Sequence, residues 1–184
     1  QEETDGTWWE GEVKNDKLHG KAKYYSATSK CLSEGNYKDY NLDGEGKYIC
    51  DNGYKEIGTF KNDKLNGYGT KTYSNGTINK GFFKDGELNG DGEVLYYSGA
   101  YEKGNYVDNM LNGKGIYISS KGVKYEGEFL NDEFHGKGTR TWPNGTTYTG
   151  DFVKDSITGS GKLLEFDDDG NFKSEFVGEF LDGD

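Results

Sequence analysis

The stretch Tyr125-Glu-Gly-Glu-Phe-Leu-Asn-Asp-Glu-Phe-His-Gly-Lys-Gly138 opens on one glycine, Gly127, and closes on a pair, Gly136 and Gly138. The same frame recurs along the chain. Opening glycines stand at Gly11, Gly35, Gly58, Gly81, Gly104, Gly127, Gly150 and Gly178, and the five intervals from Gly35 to Gly150 are 23 residues each. The first interval is 24 and the last is 28. Closing glycines keep the beat at Gly20, Gly44, Gly67, Gly90, Gly113, Gly136 and Gly159, each preceded at two residues by Leu18, Leu42, Leu65, Leu88, Leu111, Phe134 or Ile157. A fixed period in the low twenties is the mark of stacked repeats, each burying its apolar face against its neighbours.

Composition taken without the period misleads. Leu, Ile, Val and Phe make up about 18% of 184 residues at a net charge of −11, a balance typical of disordered chains. The 15 Tyr and 3 Trp reverse that reading. Each large ring buries roughly 150–250 Å², and the rings fall on the repeat beat. The expectation is an ordered chain with an aromatic core. No run of about 18 apolar residues supplies a transmembrane helix, and the polar start Gln1-Glu-Glu-Thr-Asp is not a signal peptide. The absent initiator Met suggests a fragment of a longer protein.

Within the quoted repeat, Tyr125, Gly127 and Phe129 alternate with Glu126 and Glu128, the period of a strand with one buried face. Asn131-Asp132-Glu133 supplies turn chemistry. Gly136, Gly138, Arg140 and Trp142 share one face of a second strand, and Pro143-Asn144-Gly145 turns the chain into the next repeat. Gly67, Gly69 and Tyr73, and Gly90, Gly92, Val94 and Tyr96, repeat the alternation. The fold class is therefore all-β: a single-layer antiparallel meander of stacked β-hairpins. Seven full repeats and a partial eighth span residues 1–184, with the atypical ends, 1–34 and 162–184, acting as caps. Repeated glycine on a strand implies close approach by another group. The expected cover is the ring two residues after each opening glycine, namely Tyr37, Phe60, Phe83, Tyr106, Phe129 and Phe152.

The pattern Tyr-x-Gly-x-Phe, followed by His/Asn-Gly-x-Gly and then Trp/Tyr-x-Asn-Gly, closely resembles the MORN repeat (membrane occupation and recognition nexus). Tyr125–Gly145 is the clearest copy, Gly58–Gly76 and Gly81–Gly99 are good ones, and the resemblance runs from about Trp9 to Phe180. Departures are Ala22 at a closing-glycine position and Ser33, Glu56, Asn79 and Glu102 where the opening Tyr belongs. The resemblance implies an elongated, twisted, groove-bearing sheet without intrinsic catalysis. It also implies an assembly module, whose groove in similar proteins holds a helical or extended peptide.

Parity places Tyr37, Phe60, Phe83, Tyr106, Phe129 and Phe152 on one side of the first strands, and Tyr48, Tyr73, Tyr96, Tyr117 and Trp142 on one face of the second strands. These eleven rings are the predicted partner-binding groove, with the inter-repeat core as the competing role for the same residues. A second ladder, Asp16, Asp39, Asp63, Asp85, Asp108, Asp132 and Asp155, sits at the hairpin tips as turn formers, and its field favours a basic partner. Acidity disfavours nucleic acid and anionic lipid, although Lys14, Lys61, Lys84 and Lys154 recur as a local strip.

Enzyme chemistry finds no footing. His19 and His135 occupy the same His-Gly slot of different repeats, no nucleophile elbow is present, and no metal-ligand spacing occurs. Asp167-Asp168-Asp169-Gly170-Asn171 fails the calcium-loop pattern, since Phe176 stands where the twelfth-position Glu is needed. Cys31 and Cys50, without a CxxC, favour a reducing compartment. Asn75-Gly-Thr77 and Asn144-Gly-Thr146 match the glycosylation sequon but would be unused there. The reading is a cytoplasmic, non-catalytic scaffold with no cofactor that captures a partner peptide, associated with cytoskeletal, ciliary or membrane assembly. The alternatives are a regulatory or targeting module of a larger enzyme such as a lipid kinase, or a phospholipid-binding module. Free edge strands leave room for a homodimer.

Overall fold

The computed structural model describes residues 3–181. The chain forms fifteen strands and, among the described residues, no helix. The strands are β1 (Trp8–Lys14), β2 (Lys17–Ser26), β3 (Cys31–Lys38), β4 (Asn41–Cys50), β5 (Lys55–Lys61), β6 (Lys64–Thr72), β7 (Ile78–Lys84), β8 (Glu87–Leu95), β9 (Tyr101–Val107), β10 (Met110–Ile118), β11 (Lys124–Leu130), β12 (Glu133–Thr141), β13 (Thr147–Val153), β14 (Ser156–Phe166) and β15 (Phe172–Phe180). Sheet order follows chain order from β1 to β15 in one open antiparallel sheet. Strands β1 to β14 follow one another as seven hairpins, β15 closes the series, and residues 182–184 of the expected partial eighth repeat lie outside the described part. Two compact units divide the chain inside β8, one ending at Gly90 and one beginning at Asp91.

Each hairpin tip is built by its own two residues. Asn15-Asp16, Asn62-Asp63, Asp108-Asn109 and Asn131-Asp132 all have both φ values positive, between 48° and 69°. That is the type I′ geometry matched to strand twist, and Asn and Asp tolerate it best among non-glycine residues. The turns between repeats use a different device. Asn52, Asn75 and Asn144 each accept, through Oδ1, the N–H of the residue two ahead. The glycine after each Asn, such as Gly76 at φ 92°, takes the left-handed position.

The tip aspartates do more than turn the chain. Asp63 Oδ1 accepts the N–H of Leu42 at 2.7 Å, Asp132 that of Leu111 at 2.6 Å, and Asp155 that of Phe134 at 2.8 Å. The backbone N–H of each aspartate returns the bond to the same residue's carbonyl, at 3.0, 3.0 and 3.1 Å. Each of these tips therefore clasps the second strand of the preceding repeat. The clasp belongs to the second tip position. At Asp39-Tyr40 and Asp85-Gly86 that position holds Tyr40 or Gly86, whose N–H still bonds the carbonyl of Leu18 or Leu65, at 3.0 and 2.9 Å. Neither residue has a carboxylate to complete the exchange, so the seven aspartates of the sequence ladder are not equivalent.

Opening and closing glycines oppose one another across the strands. Gly35 pairs with Gly46, Gly58 with Gly69, Gly115 with Gly104 and Gly127, and Gly138 with Gly127 and Gly150. Just beyond these pairs the ladder is broken by a bulge, as between Gly127 and Glu128, where the register on β12 jumps from Gly138 to His135. The cover over the glycines differs from the expected one. A Cβ on Gly138 would lie 2.5 Å from the Tyr125 hydroxyl and 2.6 Å from its ring, one on Gly161 would meet Tyr148, and one on Gly178 would meet Phe176. Over Gly35 and Gly46, Gly58 and Gly69, and Gly104 and Gly115 the nearest side chain is Leu42, Leu65 or Leu111 in turn, and Gly11 meets Ala22. Among the glycines whose surroundings are described, the nearest neighbours give one of the six rings placed there by sequence that role, Phe129 at Gly115. The group two residues before the opening glycine, not two after it, does the covering in the C-terminal repeats.

The two cysteines, read from sequence as thiols in a reducing compartment, are bonded to each other. Cys31 and Cys50 are direct cross-strand partners at the ends of β3 and β4, and both are buried. The outer face of the sheet carries exposed ion pairs, Glu34–Lys47 at 2.9 Å, Lys137–Asp151 at 2.7 Å and Lys162–Glu175 at 2.8 Å. Such pairs contribute little to stability. The core lies on the other, inner face.

Candidate functional site

One inner-face position decides whether a repeat is closed or open, the slot two residues ahead of the opening glycine. In the C-terminal unit it holds Glu102, Tyr125, Tyr148 and Phe176, of which Tyr125 and Tyr148 are 0% exposed. The Tyr125 hydroxyl donates to the carbonyls of Glu128 at 2.9 Å and His135 at 3.2 Å, the two residues that face each other where the bulge begins. Tyr148 repeats the arrangement with Asp151 and Thr158, at 3.2 Å each. A bulge disrupts the ladder, and the phenol satisfies the oxygens it leaves. The Tyr125 ring stacks on Phe134 at 3.9 Å and meets Phe129 and Phe152 edge-on. These repeats are filled.

In the N-terminal unit the same slot holds Trp9 in the first repeat and then Ser33, Glu56 and Asn79, these last three buried and smaller than tyrosine or more polar. The missing ring leaves space. A cleft of about 640 Å³ opens on the inner face of the first three repeats, walled by Trp9, Tyr24, Tyr37, Tyr48, Tyr54 and Phe60, with the carboxylates of Glu56 and Asp63. Tyr48, Tyr54 and Tyr73 form a continuous aromatic row, edge to face, with centroids 6.2 Å apart at each step. The polar groups within the cleft are ordered. Tyr37 Oη donates to Ser33 Oγ at 2.5 Å, Tyr54 Oη donates to Glu56 Oε1 at 2.7 Å, and Lys71 Nζ pairs with Glu56 at 3.0 Å. Burial, then the Glu56 acceptor, pushes the Tyr54 hydroxyl well above the ordinary phenol range. The phenol therefore stays a donor at any physiological pH.

A larger trough, about 740 Å³, runs along the outer face over Gly11, Gly35 and Gly46. Its walls are Glu10 with Lys23 and Glu34 with Lys47, charges already paired with each other. The inner cleft, with its rings and hydrogen-bonded hydroxyls, is the chemically better site. Size does not decide between them.

The eleven predicted groove residues separate into two depths. Tyr37, Phe60, Phe83, Tyr106, Phe129 and Phe152 are all 5% exposed or less. They lie beneath the surface of the inner face. Tyr48, Tyr73, Tyr117 and Trp142 are half-buried and Tyr96 is exposed, so these five present ring surface to solvent. Sequence reading missed Tyr54, Trp9 and Glu56. Tyr54 lies in an inter-repeat turn, off the strand alternation. The usable signal was alignment of the repeats, since the same position holds Thr77, Ala100, Val123 and Thr146 elsewhere.

No group of His, Cys, Asp and Glu among the described residues is arranged to hold a metal ion. The Asp167 loop is self-contained, its carboxylate accepting from the N–H groups of Asp169 and Asn171 and from the Asn171 side chain. No helix among the described residues is long and apolar enough to cross a membrane.

The family profile of the MORN repeat matches residues 9–30, 34–53, 57–78, 103–124 and 125–147, together more than half of the chain. No curated protein sequence matches it. Among solved structures, the chain is similar to the TCP10 domain of Danio rerio CPAP in complex with a peptide of Danio rerio STIL, at 16% identity and a TM-score of 0.44, over 85% of this chain and 73% of that one. It is also similar to the SAS-4 (dCPAP) TCP domain of Drosophila melanogaster in complex with a proline-rich motif of Ana2 (dSTIL), at 14% identity and a TM-score of 0.40, over 82% of this chain and 87% of that one.

Proposed function

The chain belongs to the MORN-repeat family, and from that premise we propose that it is a non-catalytic scaffold that binds a helical or extended segment of a partner protein along its inner face. The observation that carries this reading is the open cleft of the N-terminal unit, lined by Ser33 and Glu56 at the position that Tyr125 and Tyr148 fill in later repeats. A row of half-exposed tyrosines over a buried aromatic floor is the kind of surface that dominates binding energetics. Contact is assigned to Trp9, Tyr48, Tyr54 and Tyr73 in the N-terminal unit and to Tyr96, Tyr117 and Trp142 in the C-terminal unit, and support to the buried rings beneath them. The same arrangement suits a cytoskeletal, ciliary or membrane-associated assembly, and residues 1–34 and 162–184 act as caps.

The test is a random-peptide display selection on the immobilised full chain, followed by affinity measurement on a Tyr48→Ala/Tyr54→Ala double variant. Enriched peptides should lose at least about tenfold in affinity for the variant, while its melting midpoint stays near that of the parent chain. Failure to enrich any peptide overturns the reading, and so does unchanged affinity for a folded double variant. Saturable binding to anionic vesicles without peptide enrichment would transfer the function to lipid.

A further inference from the structure

Glu56 and Glu102 occupy the same slot of the repeat, 46 residues or two periods apart. What faces them differs. Glu56 lies opposite Lys71, whose ammonium pairs with it at 3.0 Å, donates to the Gly86 carbonyl at 2.6 Å and sits 5.8 Å from the centroid of the Phe83 ring. Both side chains are about a tenth exposed, Glu56 at 10% and Lys71 at 12%. One repeat of this protein therefore displays a complete site for a lysine head group: a carboxylate, a carbonyl and an aromatic face.

In the C-terminal unit, Glu102 lies opposite Tyr117, which stands 46 residues after Lys71. The carboxylate is kept and the cation is replaced by a phenol that cannot neutralise it. Tyr96 Oη still donates to Glu102 Oε2 at 2.8 Å. Glu102 takes part in no salt bridge among the described residues. On the same face, four residues along the strand, the Tyr106 hydroxyl is buried without a partner at hydrogen-bond distance, on a side chain only 1% exposed. Burial raises the Glu102 carboxyl above its ordinary range, the Tyr96 hydroxyl offsets this only in part, and the negative charge of Asp132 adds to it. A carboxylate so placed lacks a positive charge. Tyr96 and Tyr117, exposed and half-buried, offer the ring faces that attract one.

We propose that Glu102, with Tyr96, Tyr106 and Tyr117, forms a recognition site for an ammonium group, namely a lysine side chain of the bound partner segment, which takes the place that Lys71 fills beside Glu56. This rests on the groove reading above and names the chemistry of its partner. A hard cation fits less well, because calcium takes six to eight oxygen ligands and the cluster has one carboxylate and phenols.

The experiment uses the full chain and two small probes, Nα-acetyl-lysine methylamide and its uncharged analogue Nα-acetyl-norleucine methylamide, each titrated at millimolar concentration and followed by backbone and tyrosine NMR signals. The lysine probe should give saturable shifts at Glu102, Tyr96 and Tyr117, and the norleucine probe should not. Glu102→Gln, which keeps an acceptor for the Tyr96 hydroxyl, should weaken the lysine probe about tenfold. Tyr117→Lys should rebuild the internal pair, raise the melting midpoint and abolish the probe response, and this holds as a readout even where Glu102→Gln does not fold. No saturation with the lysine probe, an equal response to norleucine, or a Tyr117→Lys chain that still responds overturns the assignment. Peptides selected on the full chain separate the two readings. Enrichment of groove-binding peptides without lysine removes the ammonium site and leaves the groove, whereas a lysine-probe response with no peptide enrichment keeps the site and removes the groove.

Discussion

A methyl group added at Gly138 would sit within 2.6 Å of the Tyr125 ring, a rigid plane already stacked on Phe134 at 3.9 Å. Gly53 differs. It has φ 89° and open space where a Cβ would stand, so Gly53→Ala strains only the backbone. Gly138→Ala should cost about 1–3 kcal/mol by overpacking, and Tyr125→Ser in the same chain should recover part of that loss, since it removes the obstruction. The double-mutant cycle by urea denaturation checks this, and strictly additive losses would show that ring and glycine are not coupled. The hydroxyl of that tyrosine sets a pH dependence. Burial first, then the Glu128 charge, pushes it up to about 12, from an ordinary value near 10. Raising a folded-state pKa means that the protonated form is favoured by folding. The contribution is therefore fully present below about pH 10 and is lost as pH rises through 12. The melting midpoint of the parent chain should fall between pH 10 and 12, and that of Tyr125→Phe, although lower at neutral pH, should fall less steeply over the same interval.

At the scale of the hairpin, the tip aspartate joins one repeat to the one before it. Asp132→Ala leaves the Leu111 N–H without its 2.6 Å acceptor, and the expected cost is about 1–3 kcal/mol. The mutated tip should keep its turn, because Asn131 still occupies the first left-handed position. Amide exchange at Leu111 should accelerate before exchange within β11 does. The Cys31–Cys50 bond ties β3 to β4 across 19 residues of chain, and its reduction should lower stability by about 3 kcal/mol in the chain-entropy account. Denaturation with and without a thiol reductant measures it. Hairpins, tips and period were legible in the sequence because each is local: alternation of two, Asn/Asp pairs, and a repeated glycine. The cover over the glycines was not. Tyr125 and Phe129 lie two residues to either side of Gly127 with the same parity, and alternation cannot rank them. The bulge ranks them, because it frees the Glu128 and His135 carbonyls that the Tyr125 hydroxyl reaches. The open cleft was equally hidden, since Ser33 and Glu56 read as imperfect copies of a tyrosine and not as the reason for space.

For the whole chain, connectivity sets how damage spreads. Every strand bonds only to its neighbours in sequence, so no long-range pairing ties distant repeats together. Stability then follows from individual repeats and the interfaces between adjacent ones. The composition sharpens this, because a chain with about 18% Leu, Ile, Val and Phe and a net charge of −11 gains order only where rings and glycines interlock. A lesion at Gly138 removes one such interlock, between β11 and β12. Native-state hydrogen exchange on Gly138→Ala should therefore show the largest loss of protection in β11 to β13, a smaller loss in β9, β10 and β14, and least change in β3 to β6. Uniform loss across all fifteen strands would instead mean that the sheet unfolds as one cooperative body. The outcome bears on function as well. If the repeats of the N-terminal unit keep their protection in that variant, their cleft should still bind selected peptides at the parent affinity, and binding at the Tyr48–Tyr54–Tyr73 row can be measured apart from the stability of the filled repeats.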